Sequence, residues 1–151
     1  MTLEATLAAV HFLAIMTLVV FLGSQAALCR TEWLNAAVVH RLVRLDLLYA
    51  VAALLVLASG LARAYWGMKG GAWYWSQPLL HAKLTVFVLI GLLSLRPTLR
   101  FRQWRRQLLQ TGALPEAAEV QSTRRWVMWE AHLLMLLPVL GALLARGVGT
   151  R

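Results

Sequence analysis

Apolar residues fall in four long stretches, at about 3–28, 47–62, 79–95 and 126–145, separated by segments rich in arginine, glycine and aromatic residues. A helix rises about 1.5 Å per residue, and the hydrocarbon core of a bilayer is about 30 Å thick, so the stretches predict four membrane-spanning helices. The first has a polar stripe: Glu4, His11 and Gln25 stand on heptad spacing, with Leu18 between them. That spacing puts them near one helix face, which should look into a bundle rather than at lipid. Asp46 opens the second span and Arg63 closes it, with Ala50, Ala52, Ala53, Ala58, Ser59 and Gly60 available for close helix contact.

Residues 29–45 read as a loop that turns helical near Ala36. Residues 64–78 form a glycine-containing turn with Tyr65, Trp66, Trp73, Tyr74 and Trp75, a composition suited to the headgroup region. The third span closes at Arg96-Pro97. Residues 98–110 then mix Arg100, Arg102, Arg105 and Arg106 with Leu99, Phe101 and Trp104, which predicts a basic amphipathic helix lying in the interface, its aromatics in lipid. Pro138 predicts a kink in the fourth span. The fold class is therefore all-α: an integral membrane four-helix bundle with an added amphipathic interfacial helix, one domain over 1–151.

Composition sharpens this picture. Hydrophobic residues make up 60% of the chain and the mean hydropathy is +0.67, which sets it apart from an ordinary soluble domain. The formal net charge of +9 raises nucleic acid as a partner, but most arginines flank apolar spans, so anionic lipid headgroups explain them and nucleic acid does not. The start of the chain lacks the basic region of a signal peptide, so the first apolar stretch reads as a retained span. Cys29 is the single cysteine. It excludes an intrachain disulfide and a cysteine metal cage, and offers a natural labelling position for topology.

Basic residues set the orientation. Arg30, Arg41, Arg44, Arg96, Arg100, Arg102, Arg105, Arg106, Arg124 and Arg125 lie in or beside the first and third loops, against Arg63, Lys69, Arg146 and Arg151 on the other side. The bias places the first and third loops in the cytoplasm and both termini outside. His11, Arg63, His81 and Lys83 then share the outer half of the bundle, while Gln25, Arg44, Asp46, Glu130 and His132 gather toward the inner half. His81 and Lys83 are two positions apart, about 200° around a helix, so only one can face the centre; the same holds for Glu130 and His132. No P-loop, dinucleotide glycine fingerprint, HExxH or nucleophile elbow is present, which removes support for hydrolase and phosphoryl-transfer chemistry.

The block from Lys69-Gly70 through Tyr74, Pro78, Lys83, Phe87, Gly91-Leu92-Leu93-Ser94 and Pro97-Thr98-Leu99-Arg100-Phe101 to Trp104-Arg105-Arg106 resembles an uncharacterised bacterial membrane family, domain-of-unknown-function family twenty-two fourteen. Leu114-Pro115, Glu119-Val120, Glu130, Pro138 and Ala145-Arg146-Gly147 extend the likeness over nearly the whole chain. The resemblance implies the bacterial inner (cytoplasmic) membrane and no known activity. More distantly, His11 and the run Leu80-His81-Ala82-Lys83-Leu84 resemble HemJ, the membrane protoporphyrinogen oxidase of the CopD-like superfamily. That likeness implies haem b as cofactor, with His11 and Lys83 as the residues that matter.

Each candidate has a sharp and a bland reading. His11 is an axial ligand, with His81 as a second one, or it bonds across helices to Ser59, Tyr65 or a water. Lys83 clamps a ligand carboxylate, pairs with Glu4, or snorkels to the surface; Arg63 clamps an anion or anchors a helix end. Glu130 is a proton relay or, in the preferred reading, ion-pairs with a basic residue of the first loop such as Arg44. Asp46 is a helix cap or first-turn acid, or part of the inner cluster. Three functions follow: a haem- or tetrapyrrole-associated redox protein, a transporter or metal-handling component, and a structural accessory protein without a cofactor. Five methionines without a cluster argue against copper handling, and no bare-metal site is expected. The small bundle is compatible with a homo-oligomer.

Overall fold

A computed structural model describes residues 2–67 and 70–147; Lys69 and Arg151, both counted in the charge balance, lie outside that set. The elements are α1 (Thr2–Leu28), a short 3-10 turn (Thr31–Trp33), α2 (Ala36–Trp66), α3 (Gly71–Trp75), α4 (Pro78–Thr111), α5 (Ala117–Leu134) and α6 (Leu136–Ala145). α1, α2, α4 and the α5–α6 pair are each long and apolar enough to cross a membrane. The protein is an all-α membrane bundle.

Its surface shows the medium. Phe12, Leu13, Val20, Leu54, Val88, Leu92 and Val139 are all exposed. In water that much apolar surface would drive association; against acyl chains it costs nothing, and the polar stripe turns inward instead. Along α1 the heptad face is buried: His11, Leu18 and Gln25, joined by Ala14 and Leu22.

α2 begins with Asn35 as its cap, whose side chain accepts from the Val38 amide at 3.0 Å. Asp46 is therefore no cap; it sits well inside a helix of 31 residues. At about 1.5 Å per residue α2 is roughly 46 Å long and α4, with 34 residues, roughly 51 Å. Both exceed the hydrocarbon thickness, and the surplus lies at the start of α2 and the end of α4, on the arginine-rich side.

That surplus corrects the expected interfacial helix. Residues 98–110 are not a separate element; they continue α4 straight through Pro97. Thr98 already stands at the bundle level of Asp46, to which its hydroxyl donates at 2.8 Å. Beyond it, Pro97, Phe101 and Trp104 form a buried stripe at i, i+4 and i+7, with the Phe101 and Trp104 rings 5.5 Å apart. These aromatics belong to the same core as Cys29, Val39, Leu42, Val120 and Val127, not to lipid. The arginines alternate with that stripe and face outward. Gly112, at φ 71°, ends α4 in the left-handed conformation that a glycine adopts without steric cost.

Cys29 is likewise sealed, at 0% exposure, with its thiol 3.9 Å from the Val120 carbonyl. Burial pushes that thiol up to about 12, the nearby Arg124 offsetting only part of the effect. It is a packing residue, so topology must be read with introduced cysteines.

The fourth span breaks at Met135, between α5 and α6. Pro138 lacks the amide that would bond the Leu134 carbonyl and its ring crowds that oxygen, so the helix opens one turn before the proline.

Candidate functional site

Two polar groups occupy different depths of the bundle. The one on the expected outer side lines a cavity of about 360 Å³ bordered by residues of α1 to α6, among them Phe12, Leu18, Val56, Phe87, Leu137 and Leu144. Its polar members are His11, Arg63, Tyr74 and Lys83. This brings together three of the four outer residues singled out from the sequence. His81 is the exception: it is exposed, and its Nε2 lies 2.9 Å from the Trp75 carbonyl. Of the pair two positions apart, Lys83 faces inward and His81 outward.

His11 is 5% exposed, and its Nδ1 lies 2.8 Å from Ser59 Oγ. The direction of that bond can be worked out. Ser59 has one hydroxyl hydrogen, and its Oγ stands 2.6 Å from the Leu55 carbonyl, which can only accept. Ser59 therefore donates to Leu55, and His11 Nδ1–H donates to Ser59. A neutral imidazole protonated at Nδ1 keeps its lone pair on Nε2; the Val56 backbone also hydrogen-bonds to the ring, as an acceptor. Holding one ring nitrogen by a hydrogen bond is also how a histidine is oriented to use the other.

Two glycines make room for these side chains. A Cβ at position 60 would stand 3.1 Å from His11 Cε1, and one at 141 would stand 3.3 Å from Lys83 Nζ. Lys83 is half-buried among apolar neighbours, and Arg63 is close enough to interact with it as a like charge. Neither has a carboxylate partner: among the described residues the one ion pair is Arg100–Glu119, at 3.1 Å on the surface. Of the alternatives for Lys83, the pair with Glu4 is not formed.

The inner group centres on Glu130, 1% exposed, and Asp46, 5% exposed. Tyr49, one turn after Asp46 on the buried face of α2, donates its hydroxyl to Glu130, while the other carboxyl oxygen, Oε1, is enclosed without a partner. Arg44 is exposed and two positions off the Asp46 face, so the preferred ion pair between Glu130 and the first loop is replaced by a tyrosine bond. His132 turns away, its Nδ1 donating to the Met128 carbonyl at 2.6 Å. Sequence reasoning missed Tyr49 and Thr98. The i, i+3 spacing of Asp46 and Tyr49 was the available signal for the first; only helix pairing reveals the second.

Along α2, Ser59 and Tyr49 are ten positions apart, about 15 Å of rise. The buried side chains between the two groups are apolar: Ala14 and Leu18 on α1, Ala52 and Val56 on α2, Ile90 on α4 and Leu134 on α5. The outer cavity and the inner carboxyls are thus separate sites divided by an apolar layer.

Among known proteins, residues 3–149 match the model of a family described as a predicted membrane protein (DUF2214). Neither the curated proteins nor the solved structures give a match, so the likeness to HemJ and the CopD-like superfamily rests only on the few residues given above.

Proposed function

We propose, from the premise that the chain belongs to the DUF2214 family of predicted membrane proteins, that its outer cavity binds an amphipathic, carboxylate-bearing ring of the tetrapyrrole class, haem b foremost. One observation carries this reading. A single imidazole, held through Nδ1 by Ser59, and two cations without carboxylate partners share an otherwise apolar cavity of about 360 Å³. That volume is in the range of small-molecule sites, about 300–1,000 Å³.

The donor set fits such a ligand. Among the described residues no three His, Cys, Asp or Glu side chains gather, so the cavity suits a metal that brings its own ring ligands better than a bare ion. His11 Nε2 would hold the metal of such a ring or accept a proton, with Ser59 fixing the tautomer. Lys83 and Arg63 would hold the ring's carboxylates, Arg63 through its two-pronged guanidinium. The apolar walls would cover the ring and exclude water. When bound, haem supplies one-electron chemistry at its iron, while the protein sets orientation and electrostatics. A transported species would need a polar path across the membrane, and the apolar layer between the outer and inner groups favours the binding reading. The charge bias supports a bacterial inner membrane location with the arginine-rich side in the cytoplasm.

The test is titration of the purified protein in mild detergent with haemin and, separately, with metal-free protoporphyrin. Haemin should give a sharpened Soret band that His11→Ala abolishes. Protoporphyrin should bind His11→Ala still, and lose affinity in a Lys83→Ala, Arg63→Ala double variant. Absence of saturable binding by either ring overturns the reading.

A further inference from the structure

A second hollow, unrelated to the cavity, runs along the outer face of α5. It holds about 430 Å³ and is bordered by Gln121, Arg124, Arg125, Met128, Trp129 and His132. Its chemistry is graded by depth. The two arginines open the span on the arginine-rich side; Met128 and Trp129 follow about one turn deeper, near 6 Å, and His132 about another turn beyond. Trp129 is 65% exposed, so its ring lies on the lipid-facing surface beside the hollow.

The arginines here differ from several of their neighbours. Arg96 lies over the Trp126 ring at 4.4 Å, and Arg100 is paired with Glu119. Arg124 and Arg125 have no carboxylate partner among the described residues, and Arg124 Nε is enclosed without any acceptor. A guanidinium nitrogen hidden from water and lacking an acceptor costs free energy unless an acceptor is brought to it. Both guanidinium groups border the hollow, so a negatively charged group entering it from outside the chain would meet them with an apolar tryptophan and methionine directly beneath.

We infer that this hollow is a binding site for one anionic phospholipid of the inner leaflet, its phosphate between Arg124 and Arg125 and an acyl chain laid along Met128 and Trp129. A phosphodiester presents oxygens that match the guanidinium fork, and its chain covers the aromatic face that the bundle leaves bare. The site is independent of the cavity and of what that cavity binds.

The experiment uses the full chain in phosphatidylcholine vesicles containing a minor fraction of phosphatidylglycerol brominated on its acyl chains. The quenching assigned to Trp129 is the part that Trp129→Phe removes. Each basic residue at an anionic membrane surface enriches such lipid about fivefold, so two should enrich it on the order of twentyfold or more. Trp129 should therefore be quenched well beyond the level set by the same fraction of brominated phosphatidylcholine. Arg125→Gln, at an exposed position that leaves the fold intact, should remove much of the excess, and Arg124→Gln with Arg125→Gln all of it. Arg105→Gln with Arg106→Gln, on the outward face of α4, should leave it unchanged. Excess inorganic phosphate should not relieve the quenching. Equal quenching by the two brominated lipids overturns the proposal, as does indifference to the Arg124 and Arg125 changes; relief by free phosphate reduces the hollow to a plain anion site and overturns it too.

Discussion

Gly60→Ala tests the outer site at the point where α1 and α2 meet. The added Cβ would stand 3.1 Å from His11 Cε1, whereas carbon pairs rest at about 3.5–4.0 Å. The ring must yield by about 0.4 Å or more. It has little slack, because its Nδ1–H···Ser59 bond is already 2.8 Å and Ser59 is itself tied to Leu55. Overpacking of this kind costs about 1–3 kcal/mol. Weakening one hydrogen bond adds up to about 1 kcal/mol, and the better helix propensity of alanine returns about 1 kcal/mol. The net is a destabilisation near 1.5 kcal/mol, a fall of about 3–6 °C in the midpoint for a chain this size. The assay is loss of helical circular dichroism in detergent at a fixed scan rate. Gly91→Ala is the internal control, since a Cβ there meets nothing within 4 Å, and its midpoint should hold or rise. If Gly60→Ala melts at or above Gly91→Ala, His11 does not lie against α2 as described, and the tautomer argument fails with it.

Tyr49→Phe strips Glu130 of its hydrogen bond while Oε1 is already without a partner; an expected loss of about 1–3 kcal/mol is read by the same melt, and no loss refutes the pair. Trp104→Ala, in the part of α4 packed into the core, should cost about 3–5 kcal/mol, whereas Trp129→Ala on the lipid face should cost far less; equal effects would mean that residues 98–110 float free of the bundle. The Cys29 thiol should resist a soluble maleimide at neutral pH in the folded protein and react on unfolding. Below pH 9 it is protonated in both states and adds no pH dependence; from about 9 to about 12 only the unfolded chain ionises, so stability falls as pH rises through that window, and Cys29→Ala should flatten the fall.

The sequence by itself determined that four helices cross a membrane, because apolar runs of that length have no other stable arrangement once every backbone amide must be satisfied without water. It also determined which face of α1 turns inward, since Glu4, His11, Leu18 and Gln25 recur at helical spacing, and that only one of His81 and Lys83 could face the centre. Which one did, and what it met there, came from the packing. Arg63, Lys83 and His11 converge because α2, α4 and α1 pair in a particular register, and Gly60 and Gly141 open the space their side chains fill. Tyr49 reaches Glu130, and Thr98 reaches Asp46, across helix pairs separated by dozens of residues. The tail of α4 followed the same logic. Its arginines and aromatics read equally well as an interfacial helix or as a packed one, and the partners that bury Phe101 and Trp104 lie on other helices. Helical periodicity is local and visible in one segment; the choice of partner is a property of two surfaces meeting, and only the folded bundle contains both.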